Sequence, residues 1–197
     1  MTSQPTRSPR RRKVTDKGKP TSALLVEAAA AEFNDSGFDG TDSNKIARRA
    51  GFAPQTFYRW FEGKEEVFLQ VYDRWRREEF TAISRLLAAG ASDDVLAKAL
   101  VKHHKAYLRF RRSLRQLSLE SSVVRDARAK SRLDQLAALR RLIPGANLDN
   151  AQMAALLLQM ERLADALAEG EFADMGLDDA AGRDALARLI GNLRTHG

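Results

Sequence analysis

Residues 41–68, TDSNKIARRAGFAPQTFYRWFEGKEEVF, read as two short helices joined by a tight turn and followed at once by the start of a longer third. Thr41 and Asp42 are both able to cap the first helix, because each side chain accepts hydrogen bonds from free backbone N–H groups. Ile46, Ala47 and Ala50 recur at helical spacing and give it one apolar stripe. Gly51 ends it, since a left-handed residue after a helix costs least without a Cβ. Pro54 suits the first turn of the next helix, where its missing N–H has no partner to lose. Phe57 and Phe61 are the expected buried pair, leaving Gln55, Thr56, Tyr58, Arg59 and Lys64 to face outward. A short helix that shows amide, hydroxyl and basic groups after a tight turn has the dimensions to enter a DNA major groove.

The signature residues are Gly37-Phe38, Thr41, Ile46-Ala47, Ala50-Gly51, Thr56-Phe57-Tyr58, Phe61 and Lys64-Glu65. In this order they resemble the helix-turn-helix of the TetR (tetracycline-repressor-like) family of bacterial transcription regulators. The resemblance implies an all-α fold: an N-terminal three-helix DNA-binding domain, a long shared helix, and a C-terminal helical domain for ligand binding and dimerisation. It also implies that the Tyr58 hydroxyl lies on a DNA phosphate. Thr41, Gln55, Thr56, Tyr58, Arg59 and Lys64 are the candidate DNA-binding residues of the folded part. Two positions depart from the pattern. Ala53 stands where Ser or Thr usually caps the recognition helix, which forfeits about 1 kcal/mol of local stabilisation. Gln55 stands where a small residue is common; it either bonds bidentately to an adenine edge or touches only phosphate and water.

Composition agrees with an all-α chain. Gly and Pro are few, Ala and Leu abundant, and no run of alternating β-branched residues occurs. The absence of cysteine excludes a disulfide framework or thiolate metal site and fits a cytoplasmic protein. No apolar run approaches the ~20 residues that span a bilayer. The formal charge of +7 is uneven: residues 1–20 hold seven Lys or Arg against Asp16 alone, whereas residues 21–64 hold five basic and six acidic residues. That distribution suits a sequence reader with a basic tail better than a generic DNA-coating protein. The expected division is a disordered basic arm over 1–20, a helix-turn-helix domain over 21–66 and an effector-binding and dimerisation domain over 67–197. In the arm, Arg11 and Arg12 lie in a basic run that either enters a minor groove or only adds salt-sensitive affinity.

A first helix is expected over 21–36, ended by Gly37. Eleven of the fourteen aromatic residues fall between Phe33 and Phe80, so rings are expected to hold the small N-terminal domain together. The long helix from Lys64 to about Leu87 has Phe68, Val71, Tyr72, Trp75, Glu79 and Ile83 on one side. After a break at 88–92, a helix is expected over 93–111 with His103 and His104 in a wide apolar face. They are either neutral core histidines or part of a ligand cavity with Tyr107, Phe110 and Met160. Adjacent histidines diverge by about 100° on a helix, which argues against a metal site, and no cofactor is expected.

The segment from Ser113 to Ile143 reads as a short helix and then a longer charged one, ended by Pro144-Gly145. A further helix over 149–169 carries two apolar stripes, Met153, Leu156, Leu157 and Met160 on one and Ala151, Ala155, Leu158 and Ala166 on the other. With Leu186, Leu189 and Leu193 of a last helix over 178–194, Ala151, Ala155 and Leu158 are the expected dimer interface, a two-fold four-helix contact. The expected function is a homodimeric, sequence-specific repressor of a near-palindromic operator, released by a small apolar or amphipathic effector. The alternative is an architectural or activating DNA binder without an effector. No phosphate loop, His–carboxylate spacing or nucleophile setting points to an enzyme.

Overall fold

The computed structural model describes residues 20–143 and 147–195. Among them run ten helices: α1 (Thr21–Ser36), α2 (Ser43–Arg49), α3 (Pro54–Tyr58), α4 (Lys64–Ala88), α5 (Asp93–Ala106), α6 (Leu108–Glu120), α7 (Ser122–Leu142), α8 (Asn150–Glu169), α9 (Glu171–Asp174) and α10 (Ala180–Thr195). Side-chain caps fix three helix starts, and at α2 they decide between Thr41 and Asp42. Asp42 caps α2 by accepting from the Lys45 N–H, Ser92 caps α5, and Asp149 forms a capping box with Gln152 on α8. Ala53 makes no side-chain cap bond on α3, as its methyl group dictates. Arg11, Arg12 and the Pro144-Gly145 terminator lie outside the described residues.

Three apolar clusters order the helices. The first joins Leu25 and Phe33 of α1, Ile46 of α2, Phe57 of α3, and Phe68, Val71 and Trp75 of α4 with Phe110 and Leu114 of α6. Its rings touch directly: Phe33–Phe68 centroids are 5.0 Å apart and Phe68–Phe110 4.8 Å. Phe33, Phe57 and Phe61 are buried, but Phe38, Phe52 and Trp60 pack only half-buried at its edge. The second cluster packs Leu96 and Leu100 of α5 on Ala164 and Leu167 of α8 and Leu186 and Ile190 of α10. The third holds Leu136 of α7, Met153 and Leu157 of α8, and Leu193 of α10.

The single helix expected over 93–111 is interrupted. Tyr107 takes φ −125° and ψ 34°, which ends α5 and starts α6. The break turns Phe110 into the aromatic cluster and leaves Arg111 facing α8. The ends of the chain segments are stitched together here. The Phe38 N–H donates to Ser113 Oγ at 2.9 Å, and Asn34 Nδ2 donates to the Ala106 carbonyl at 2.9 Å. So α6 shares both a core and hydrogen bonds with the helix-turn-helix. A one-turn helix, α9, also separates α8 from α10, between the two helices expected over 149–169 and 178–194.

Candidate nucleic-acid interface and effector cavity

The turn between α2 and α3 is fixed by backbone bonds: the Gly51 N–H donates to the Arg48 carbonyl and the Phe52 N–H to that of Ala47, at 3.0 and 2.9 Å. Gly51 adopts φ 78°, and a Cβ there would meet nothing within 4 Å, so only backbone conformation demands glycine. On α3, Phe57 is fully buried and stands 5.4 Å from the Phe61 ring. This anchors one face and turns the other to solvent. Gln55, Tyr58 and Arg59 are exposed there, with Thr56 half-buried. The Tyr58 hydroxyl lies 2.7 Å from Ser43 Oγ at the start of α2, linking the two short helices at their outer edge. Ser43 was not among the candidate residues, and nothing in its helical periodicity marks it.

Two candidates are placed otherwise than expected. Thr41 is only 2% exposed, and its hydroxyl points at the Gly37 and Glu32 carbonyls at 2.7 and 3.1 Å. Its side chain closes the α1–α2 connection and is buried away from the outer face. Lys64 donates from Nζ to the Phe38 carbonyl at 2.7 Å and sits 4.0 Å from that ring's centroid. Desolvation lowers its pKa. The ammonium is a clamp between α4 and the α1–α2 connection. Arg49 likewise ties α2 to α1 through Glu32 and Asp35, at 2.8 and 2.6 Å.

In the second domain a cavity of about 100 Å³ lies between α4, α5, α7, α8 and α10. Its walls are mostly apolar, including Trp75, Ile83, Leu100, Leu157 and Met160, with His104, Arg76, Arg132 and Glu161 among them. Of the five pocket candidates, His104 and Met160 line it. The other three do not, each for a local reason. His103 stacks on Trp75 and donates from Nε2 to the Trp75 carbonyl at 3.2 Å. The Tyr107 hydroxyl donates to Glu78 at 2.9 Å, and Phe110 belongs to the aromatic cluster.

His104 is a buried histidine held between two carboxylates, not a free wall of the cavity. Its Nδ1 lies 2.8 Å from Asp165 and its Nε2 3.0 Å from Glu79, so both nitrogens donate to carboxylates. Burial alone would lower its pKa, but the bonds to Asp165 and Glu79 outweigh it and raise it. Asp165 also accepts from Arg111 Nε and Nη2, at 3.1 and 2.9 Å, and pairs with Arg115 at 2.9 Å. Burial pushes against its charge, yet His104 and Arg111 hold its pKa far below the usual range. Glu161 joins Arg111, Arg128 and Arg132 at 3.0, 2.6 and 2.7 Å. Against the cost of burial, these arginines bring its pKa down to about 2. This charged network at the centre of the domain was missed in the sequence.

The expected dimer stripe divides as well. Ala151, Ala155 and Leu158 are exposed on α8, with Leu158 45% exposed. Leu189 of α10 lines an open groove with Leu158, Phe172 and Met175. Leu186 and Leu193 instead point into the protomer's own clusters, 0% and 5% exposed, and Ala166 is also buried. Leu186 and Leu193 face inward because α5 and α8 pack against that side of α10. Among the described residues, no cluster of three His, Cys, Asp or Glu side chains has metal-binding proximity, and no helix is long and apolar enough to cross a membrane.

Residues 25–71 match the model of the bacterial regulatory proteins, tetR family. An uncharacterised HTH-type transcriptional regulator of Bacillus subtilis (strain 168), YdgC, is 31% identical over 86 residues, 43% of this chain and 44% of that protein's own length. Among solved structures, a protein described as a TetR-family transcriptional regulator from Rhodococcus sp. superposes with a TM-score of 0.68 at 17% identity, covering 89% of this chain and 98% of that one. The fatty acid degradation regulator FadR from Bacillus halodurans gives 0.63 at 17% identity, covering 87% and 95%. FadR from Bacillus subtilis, solved with stearoyl-CoA, gives 0.54 at 19% identity, covering 89% and 98%. The family signature thus lies on the helix-turn-helix, within residues 25–71, and the fold is shared along nearly the whole chain with these solved structures.

Proposed function

We propose that the chain is a homodimeric transcriptional repressor that reads a near-palindromic operator and is released by a small apolar or amphipathic effector. The observation that carries this is the outward face of α3, where Gln55, Tyr58 and Arg59 stand exposed on a helix anchored by Phe57. A polar edge on a rigid support is what base reading in a major groove requires. The unit is residues 21–66, docked through α4 and α6 on an effector and dimerisation unit over 67–197. A second copy, packed two-fold through Leu158, Leu189, Phe172 and Met175, sets two α3 helices about one helical turn apart. The protein then works in the cytoplasm, on the DNA it regulates.

The effector acts by differential affinity for two head spacings. The cavity volume of about 100 Å³ is below the roughly 300–1,000 Å³ typical of drug-sized ligands. A long acyl chain such as the one carried by the Bacillus subtilis neighbour therefore requires the walls to part. Selection of bound sites from random duplex tests the proposal. An inverted repeat is the expected outcome, and equal affinity for every duplex overturns it in favour of an architectural binder.

A further inference from the structure

We propose that the cavity takes a compact apolar acid, a ring or short chain bearing one carboxylate, with the carboxylate at the rim between Arg76 and Arg132. This rests on the assignment of the second domain as an effector site and names the chemistry of the effector. Three groups on the lining carry it. Arg76 Nε, Arg132 Nε and the indole Nε1 of Trp75 are buried without a hydrogen-bond partner, and all three belong to residues that line the cavity. All three are donors, and no buried acceptor on the described lining is similarly left over. Buried donors without acceptors are costly, and a ligand that brings oxygen lone pairs supplies the kind of group they lack.

The charges select an anion. Arg132 spends Nη2 on Glu161 at 2.7 Å, but Arg76 has only Asp73, at 3.9 Å. Guanidinium groups match carboxylates in plane and charge. Glu79 and Glu161 already stand on the lining, so a monoanion is better matched than a phosphate dianion. The arrangement is also polar at one end. The Arg76 and Arg132 side chains are 17% and 31% exposed, whereas Leu96 and Leu157 are 1% and 8% exposed. The arginines thus mark the open rim and the leucines the closed end. The volume of about 100 Å³ approaches that of an apolar cavity of ~150 Å³ known to hold benzene. A single ring is therefore the upper limit of size, and a long chain exceeds it.

The test uses the full chain with Trp60→Phe, which leaves Trp75 as the only indole. Its emission is followed on titration with benzoate, toluene, benzylamine and phenyl phosphate. Benzoate is expected to saturate at a concentration at least tenfold below each of the others. Arg76→Gln and Arg132→Gln are each expected to weaken benzoate at least tenfold and leave toluene unchanged. Because Arg132 also holds Glu161, thermal melts accompany both variants, and Arg76→Gln decides if Arg132→Gln unfolds. Toluene binding as tightly as benzoate removes the acid assignment while leaving an effector cavity in place. Tighter phenyl phosphate, no benzoate binding, or an unaffected Arg76→Gln also overturns the proposal, the last assigning those donors to water. None of these readings involves DNA, so a failure of operator recognition is seen separately.

Discussion

Replacing Asp165 by Asn removes one negative charge and changes no volume. In the folded chain that carboxylate receives His104 at 2.8 Å, Arg111 at 3.1 and 2.9 Å, and Arg115 at 2.9 Å. The asparagine amide keeps one acceptor oxygen but turns an NH2 group toward these donors. Arg111, 2% exposed, retains only Glu161 as a charged partner. Breaking a buried ion pair by neutralising one member costs about 3–5 kcal/mol, because the remaining charge stays buried. At about 2–4 °C per kcal/mol for a chain of this size, the melting temperature falls by roughly 6–20 °C. Urea denaturation followed by far-UV circular dichroism measures the loss, at one protomer concentration so that association does not contribute. A leucine at 165 combined with methionine at 111 should recover part of it, since apolar replacement of a buried pair is often neutral. A loss below about 1 kcal/mol, the level of surface pairs, refutes the reasoning.

Gln55→Ala should change which bases are preferred, whereas Tyr58→Phe should weaken every duplex alike and free Ser43; site selection with both variants distinguishes the two effects. Lys64→Met removes the bond to the Phe38 carbonyl and the charge over its ring, and should cost about 1–2 kcal/mol in a denaturant melt. Leu158→Glu buries a charge in the proposed two-fold contact and should give monomers by sedimentation with an unchanged helical spectrum; persistent dimers reject that face. The network also makes stability depend on pH. Glu161 has its pKa depressed from 4.5 to about 2, so its contribution is present above 4.5 and lost as pH falls toward 2. His104 is raised above 6.5, so its contribution is full below 6.5 and lost as pH rises through its folded value. In His104→Gln the alkaline loss should flatten and the acid loss remain.

The helix-turn-helix was legible because its residues answer local requirements: a cap at Asp42, a left-handed glycine at 51, proline at the first turn of α3, and rings four apart at 57 and 61. The roles of Thr41 and Lys64 were not, since both depend on carbonyls of the α1–α2 connection whose approach no periodicity reveals. The α5–α6 break was hidden for a similar reason. Residues 93–111 have helical spacing throughout, and the interruption at Tyr107 appears only once Phe110 and Arg111 seek different neighbours. The charged network had left a trace. Arg111 and Arg115, Arg128 and Arg132, and Glu161 and Asp165 each recur four apart, on three different helices and with matching signs. Such pairs normally read as solvated faces, and only tertiary packing turned these inward. The expected dimer stripe divided where α10 offered one apolar side that the protomer itself needed.

The contact of Phe68 with Phe110 at 4.8 Å has a mechanical consequence. The helix-turn-helix end has no joint of its own at residue 66, because α6 grips it alongside α4. The 25 residues of α4, at about 1.5 Å each, make a rod about 37 Å long. Tilting such a rod by roughly 5° carries its tip about 3 Å, close to the ~3.4 Å between successive phosphate charges on one strand. Under the proposed function, a slight rocking at the far end would therefore suffice to slip the protein out of step with the duplex.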